Sequence, residues 1–172
     1  FPTRRSSDLR VKRCSGRKPH QQQSSMPRAF SSTSDGLGYL LGFALCRSSS
    51  VAILSPWLSD VRISLPTTDR ECPRRGQLSE ILDSFSETDV RVFVKSDEEH
   101  NEYIRRRLPH HVDFKTVDDL HAKAIVTPEF VYVGSANITM GGLQDNRELC
   151  EVIENEYRSV ESFLGSELDL GE

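Results

Sequence analysis

The stretch LHAKAIVTPEFVYVGSANITMGGL, residues 120–143, contains two apolar runs separated by a short Thr-Pro-Glu turn. These runs predict two strands, residues 120–126 and 130–133, joined as a hairpin. Side chains two residues apart on a strand point to the same face. We therefore expect His121 and Lys123 to lie side by side, with Ala122 and Ala124 directed into the opposite packing layer.

The segments around this hairpin alternate between strand and helix patterns. Apolar residues recur at helical spacing over 34–50, 74–87 and 156–168, and the polar segment 97–109 is also predicted to be helical. In the last of these helices Tyr157, Val160, Phe163 and Leu164 are expected to face inward. Strands are predicted at 51–54, 89–96, 112–117 and 146–155. This alternation, together with the hairpin, predicts an α/β fold with a mixed β-sheet sandwiched by helices.

Charge is unevenly distributed along the 172 residues. Residues 1–30 contain eight of the 22 basic and one of the 26 acidic side chains, so the remaining 142 residues have a net charge of −11. A basic arm of this kind usually indicates nucleic-acid binding. However, FPTRRSSDL at residues 1–9 resembles the translation of a sequencing-library adapter. We therefore expect residues 1–29 to be disordered and artefactual or untranslated, with Met26 as a candidate start, and residues 30–172 to form one domain.

Several classes of site are disfavoured by the sequence. No run of 18 apolar residues exists, which argues against a transmembrane span. The four cysteines, at positions 14, 46, 72 and 150, lie far apart without a C-x-x-C pair, so neither a zinc site nor a disulfide framework is indicated. A reducing, cytoplasmic location is the default expectation. His110 and His111 are expected in a solvated turn rather than at a metal.

The polar residues of residues 120–143 suit a phosphate. A lysine beside an imidazole keeps the ring neutral and nucleophilic and attracts an anion. Gly134 is expected to let the backbone turn at the strand end. Ser135 and Asn137 are expected to place a hydroxyl and an amide on the same side, where such donors can bind the equatorial oxygens of a phosphoryl group. Residues 140–142, Met-Gly-Gly, predict a flexible loop that approaches the ligand.

The segment HAKAIVTPEFVYVGSANITMGGLQDNRELCEV, residues 121–152, resembles the motif H-x-K-x4-D-x6-G-S-x-N of the phospholipase D superfamily, in its small, single-motif, nuclease-like branch. The resemblance implies a phospholipase D-like fold and a phosphodiesterase that needs neither metal nor cofactor. It implies that His121 attacks phosphorus to form a phosphohistidine, and that Lys123 and Asn137 bind the phosphoryl oxygens with support from Gly134 and Ser135. Glu148 matches a glutamate that hydrogen-bonds the catalytic histidine, although a solvated strand carboxylate is the alternative.

The chain departs from this motif at the aspartate. Residues 127–129, Thr-Pro-Glu, stand near its place, and the hairpin is one residue shorter. In the family this aspartate is largely structural, and we do not expect Glu129 to replace it. A phosphohistidine route also needs a second group to protonate the leaving oxygen and activate water. Because the chain has one H-x-K motif, we predict a symmetric homodimer with two His121 residues facing each other.

Three functions remain open, and the favoured one is a nuclease or DNA-processing phosphodiesterase. Phospholipid headgroup hydrolysis or transfer is disfavoured because no basic amphipathic helix is present. A catalytically weak phosphate-binding subunit of a DNA modification or restriction complex fits the acidic body. Arg105, Arg106 and Arg107 could contact a nucleic-acid backbone, although solvated cations are favoured. Trp57 is expected in the core, with a place over the active-site mouth as the alternative.

Overall fold

The computed structural model describes residues 29–32, 36–66, 74–145 and 148–171. Several predictions fall outside these ranges: the disorder of residues 1–28, the start at Met26, and the surroundings of Cys14 and Cys72. The boundary expected between residues 29 and 30 is close to the first described strand, which begins at residue 29.

Strands and helices alternate along the described chain. The elements are β1 (Ala29–Ser32), α1 (Gly36–Arg47), β2 (Ser50–Leu54), β3 (Arg62–Ser64), β4 (Arg75–Gln77), α2 (Leu78–Asp83), β5 (Asp89–Lys95), α3 (Glu99–Arg105), β6 (Asp113–Val117), β7 (Ala124–Val126), β8 (Phe130–Gly134), a π-helical turn (Gly141–Asp145), β9 (Glu148–Glu154) and α4 (Val160–Leu168).

Seven of the strands form one mixed sheet in the order β1-β9-β8-β7-β2-β5-β6. Strands β2, β5 and β6 are parallel, whereas β7 runs antiparallel to β2. The neighbours β7, β8, β9 and β1 are antiparallel to one another in turn. The short turn after β7 requires the antiparallel pairing of β7 with β8, because parallel neighbours would need a long crossover. Strands β3 and β4 form a separate two-stranded sheet.

The large sheet separates two apolar layers. On β2, Val51 and Ile53 face a core that includes side chains of α1, α2 and α3, whereas Ala52 and Leu54 pack with residues of α4 on the other face. All four side chains are fully buried. Alternate residues of a strand point to opposite faces, so a strand buried throughout must be covered on both sides. The predicted mixed sheet sandwiched by helices is confirmed.

Several predicted boundaries were wrong. Residues 75–77 form β4 rather than the start of a helix, because they pair with Arg62–Ser64. The helix predicted over 97–109 is limited to Glu99–Arg105. The last helix begins at Val160, after its N-cap Ser159, and not at residue 156. Tyr157 is therefore not directed inward: it is 41% exposed and contacts the ring of Phe163 edge-on.

Candidate active site

Four strand ends meet at one edge of the large sheet. Leu54 at the end of β2 lies opposite Ala124, where the antiparallel β7 begins. Strand β8 returns to the same edge and ends at Gly134, opposite Cys150 near the start of β9. Residues at or just beyond these four ends therefore lie close together. They include Trp57, His121, Lys123, Ser135 and Glu148.

His121 and Lys123 immediately precede β7, which begins at Ala124 and not at residue 120 as predicted. One further backbone bond, from Gly134 N to Lys123 O at 3.1 Å, continues the ladder beyond the strand. The Lys123 ammonium donates to the carbonyl of His121 at 3.0 Å. His121 is exposed, and no described side chain hydrogen-bonds its imidazole. The ring is thus open to a ligand.

The charge of Lys123 is sensitive to its surroundings. Burial lowers the pKa of the Lys123 ammonium, and the negative charge of Glu148 opposes this shift. An anion bound beside Lys123 would favour the charged form of the side chain in the same way as Glu148 does. Lys123 can therefore bind a phosphoryl oxygen with a gain in charge stabilisation that a fully solvated lysine would not have.

Ser135 connects the end of β8 to the start of β9. Its backbone N–H donates to Leu149 O at 3.0 Å, and its hydroxyl accepts from Leu149 N at 3.2 Å. The hydroxyl also donates in a short hydrogen bond to the Glu148 carboxylate. Glu148 was expected to bond His121, and no such bond is present among the described residues. The orienting role of Glu148 thus stays a prediction.

His121 stands between two cavities of different character. One, of about 570 Å³, is lined by polar groups of His121, Lys123 and Ser135 and by apolar side chains that include Trp57, Val133, Phe163 and Leu168. The other, of about 740 Å³, lies beside the end of α4 and brings His121 together with Asp119, Glu167 and Asp169. Lys123 lines the first cavity, called the apolar cavity below, and does not line the second, acidic cavity.

Trp57 lies at the mouth of the apolar cavity. Its side chain is 41% exposed, so the predicted core position was wrong. Its neighbour Leu58 is fully buried instead, and the backbone on both sides is held by Asn101, which donates to Pro56 O and accepts from Leu58 N, each at 2.9 Å. Since Leu58 fills the core, the indole is turned outward over the site.

Ser55 is a positioning residue that the sequence analysis missed. It follows β2, is fully buried, donates to Trp57 O at 2.6 Å and accepts from Ile138 N at 2.9 Å. Ser55 thereby fixes the Trp57 loop to the segment that contains Asn137. A polar residue directly after the apolar run of residues 51–54 was the available signal in the sequence.

Asn137 is half-buried and does not line the cavity that contains Lys123 and Ser135. Its side-chain oxygen is buried without a hydrogen-bond partner among the described residues. The segment after Asn137 is not the flexible loop that was predicted. It forms the π-helical turn, and Gly142 packs so closely that a Cβ there would lie 2.1 Å from the Asn137 carbonyl oxygen.

At the place of the missing aspartate, the turn is organised by Thr127. The Thr127 hydroxyl accepts from Phe130 N at 2.9 Å and donates to Phe130 O at 3.0 Å, and the residue is fully buried. Glu129 accepts a hydrogen bond from Ser48 at 3.0 Å, at the opposite end of β7 from His121. The hairpin is therefore closed without an aspartate.

Other candidate residues lie in ordinary surface contacts. Arg105 pairs with Glu102 at 3.3 Å, and Arg107 pairs with Asp60 at 2.7 Å. His111 Nε2 lies 3.2 Å from Leu82 O. In the described ranges no three His, Cys, Asp or Glu side chains are grouped as a metal would require. Nor does any helix described here have the length and hydrophobicity needed to cross a membrane.

Comparison with known proteins places this site in a family. The model of the family described as "Cardiolipin synthase, PLD-like domain" matches residues 48–164. The chain belongs to this family. The resemblance to the phospholipase D superfamily is thereby confirmed, and the matched residues include the H-x-K and G-S-x-N segments. A search of curated proteins found no match.

Solved structures share the phospholipase D-like fold. Nuc, a phospholipase D family member from Salmonella typhimurium, is 17% identical, with 79% of this chain and 90% of that chain covered at a TM-score of 0.51. Phosphatidylserine synthase from Haemophilus influenzae is 9% identical, and the match covers 83% of this chain and 37% of that chain at a TM-score of 0.51. Polyphosphate kinase from Porphyromonas gingivalis is 15% identical, and the match covers 84% of this chain and 24% of that chain at a TM-score of 0.50.

Proposed function

We propose that the protein is a metal-independent phosphodiesterase that acts through a phosphohistidine at His121. The observation that supports this most directly is the exposed imidazole of His121 beside Lys123 and Ser135 at one sheet edge. Membership of the PLD-like domain family agrees with a phosphodiester substrate. In the proposed reaction a ring nitrogen of His121 attacks phosphorus, a P–N bond forms and the P–O bond to the leaving group breaks.

The residues around His121 would stabilise the charge that develops on the phosphoryl group. Lys123 and the Ser135 hydroxyl line the same cavity as the imidazole, and both can donate to phosphoryl oxygens. We propose the same role for the Asn137 amide, which would need to turn toward that cavity, and for the backbone of Gly134. Glu148, held by Ser135, is proposed to orient His121 once Ser135 engages the substrate.

A second group is required to protonate the leaving oxygen and later to take a proton from water, and histidine is the side chain that does this most often. Among the described residues no other histidine lines either cavity at His121: His100 contacts Ser59, and His111 contacts Leu82. We therefore propose a homodimer in which the partner's His121 supplies this group. Two apolar side chains near the site are exposed, Trp57 at 41% and Val133 at 38%. Their exposure supports a second copy of the chain packed over the site.

Nucleic acid is the proposed substrate, on the basis of the nuclease-like form of the motif over residues 121–152. A phospholipid is the second candidate, because Trp57, Val133, Phe163 and Leu168 give the cavity an apolar lining that would suit acyl chains. Plasmid DNA and vesicles that contain an anionic phospholipid, assayed side by side, separate the two. A phosphate-binding subunit would process neither.

The deciding assay measures hydrolysis of bis(p-nitrophenyl) phosphate in excess EDTA. His121→Ala and Lys123→Ala are expected to lose turnover, because one removes the nucleophile and the other removes a cation from the transition state. His110→Ala, an exposed histidine remote from both cavities, is the matched control and should keep full activity. Turnover that persists in His121→Ala would contradict the proposal, whereas an inactive dimeric wild type would favour the subunit alternative.

A further inference from the structure

A buried tyrosine hydroxyl lies directly beneath the proposed site. Tyr132, in the middle of β8, is only 2% exposed, and its hydroxyl oxygen has no hydrogen-bond partner among the described residues. Among the described residues, the side-chain oxygen of Asn137 is the one other buried side-chain N or O atom without a hydrogen-bond partner. A buried polar atom without a partner is destabilising, so each such atom requires an explanation.

The hydroxyl is directed along β8 toward the site. A Cβ placed on Gly134 would lie 2.3 Å from the Tyr132 hydroxyl oxygen, so the phenol fills the space that a side chain at Gly134 would need. Gly134 is paired with Cys150 on β9. Because side chains alternate along a strand, the next residue of β9 on that face, toward the site, is Glu148. The Tyr132 hydroxyl thus lies on the same sheet face as Glu148, close enough for the carboxylate charge to act on it.

The phenol is suited to donate to a carboxylate. Burial raises the pKa of Tyr132 far above its usual value, and the negative charge of the Glu148 carboxylate adds a smaller increase. The hydroxyl is therefore protonated at neutral pH and can act as a donor. Glu148 accepts a hydrogen bond from Ser135, and the charge of Lys123 acts on it from the start of β7.

We propose that Tyr132 is a positioning residue whose hydroxyl donates to Glu148 when the Ser135 hydroxyl turns toward a phosphoryl oxygen. The role given to Ser135 rests on the proposed function. When the Ser135 hydroxyl turns away, the Glu148 carboxylate loses a hydrogen-bond donor. The Tyr132 hydroxyl, which has no partner among the described residues and lies on the same face, can replace it. The exchange keeps Glu148 in place while Ser135 binds the substrate, and it gives the buried Tyr132 hydroxyl a hydrogen-bond partner.

The first test needs no activity. Urea unfolding is measured for Tyr132→Phe in the wild type and in Ser135→Ala, which mimics the departure of Ser135. In the wild type, removal of an unpartnered hydroxyl should leave the urea midpoint unchanged or higher. In Ser135→Ala the same change should lower the midpoint, because the Tyr132–Glu148 bond is then lost. Tyr39→Phe, a 51% exposed tyrosine on α1, is the control and should behave alike in both backgrounds.

An equal effect of Tyr132→Phe in both backgrounds would overturn the proposal. In the activity assay, Tyr132→Phe should lower kcat/KM about tenfold, the scale of one hydrogen bond to a charged group. Wild-type kcat/KM in Tyr132→Phe, with His121→Ala inactive, would also overturn it. If His121→Ala remained active, the proposed function would fail, and the unfolding cycle would still decide the role of Tyr132.

Discussion

Gly141 and Gly142 are adjacent but differ in their surroundings. A Cβ at Gly142 would lie 2.1 Å from the carbonyl oxygen of Asn137, a backbone atom that cannot move alone, whereas a Cβ at Gly141 meets nothing within 4 Å. Neither glycine has a positive φ, so steric contact is the relevant difference. Gly142→Ala should therefore displace Asn137 and destabilise the fold by about 1–3 kcal/mol.

Gly141→Ala is the matched control and should change stability by less than about 1 kcal/mol. Urea unfolding and hydrolysis of bis(p-nitrophenyl) phosphate would be measured for both variants. Under the proposed function, Gly142→Ala should also lose activity, since Asn137 is proposed to bind the phosphoryl group. Wild-type stability in Gly142→Ala would show that the close contact with Asn137 is not required.

The motif spacing brought three of the predicted site residues together, but not Asn137, which does not line their cavity. The H-x-K and G-S-x-N patterns indicated that His121, Lys123 and Ser135 meet, and these three residues line one cavity. The outward position of Trp57 was not predictable, because it depends on Leu58 and on hydrogen bonds to Asn101, more than 40 residues away. The roles of the site residues remain to be tested by the variants above.

At the scale of elements, one serine joins the two loops that follow β2 and β8. Ser55, after β2, accepts from Ile138 N at 2.9 Å and donates to Trp57 O at 2.6 Å. Ser55→Ala would leave both backbone groups without this partner in a fully buried place. We expect a loss of about 1–3 kcal/mol in the free energy of unfolding, and lower turnover because the Trp57 loop is released.

Ser50→Ala, at the start of the same strand, provides the comparison. The Ser50 hydroxyl bonds the exposed side chain of Asp89 at 3.2 Å, so its removal should cost less than about 1 kcal/mol. Thermal or urea unfolding of the two variants measures the difference between a buried bond that joins two loops and an exposed one. Equal stabilities for the two variants would argue against the joining role of Ser55.

Elements were predictable where apolar periodicity is long and local. The strands of the large sheet between residues 50 and 133 and the helices α1 and α2 follow from such patterns. Strands β1, β3 and β4 were missed because they are three or four residues long and form only through distant partners. Arg75–Gln77, for example, was assigned to a helix because the apolar spacing of α2 directly follows. Pairing with Arg62–Ser64 overrides that preference.

At the scale of the whole molecule, the exposed apolar side chains at the site edge form a surface that a second copy could cover. Leu149 is 67% exposed on β9, and Trp57 and Val133 are 41% and 38% exposed beside the His121 cavity. The sequence could not distinguish them from core residues, because apolar residues of an edge or loop have the same pattern whether they are buried or exposed. A dimer in which the His121 cavities of two copies face each other would bury these side chains and bring the two His121 residues together.

Mixed dimers test this arrangement directly. If each reaction uses His121 from both copies, a dimer with one His121→Ala copy is inactive, because either the nucleophile or the proton donor is missing. Equal amounts of wild type and variant, allowed to exchange subunits at random, should then show about a quarter of the activity of the same total amount of wild type. Independent copies would give about half, and that result would exclude a shared site. The same mixture with His110→Ala should keep full activity, because that histidine lines neither cavity.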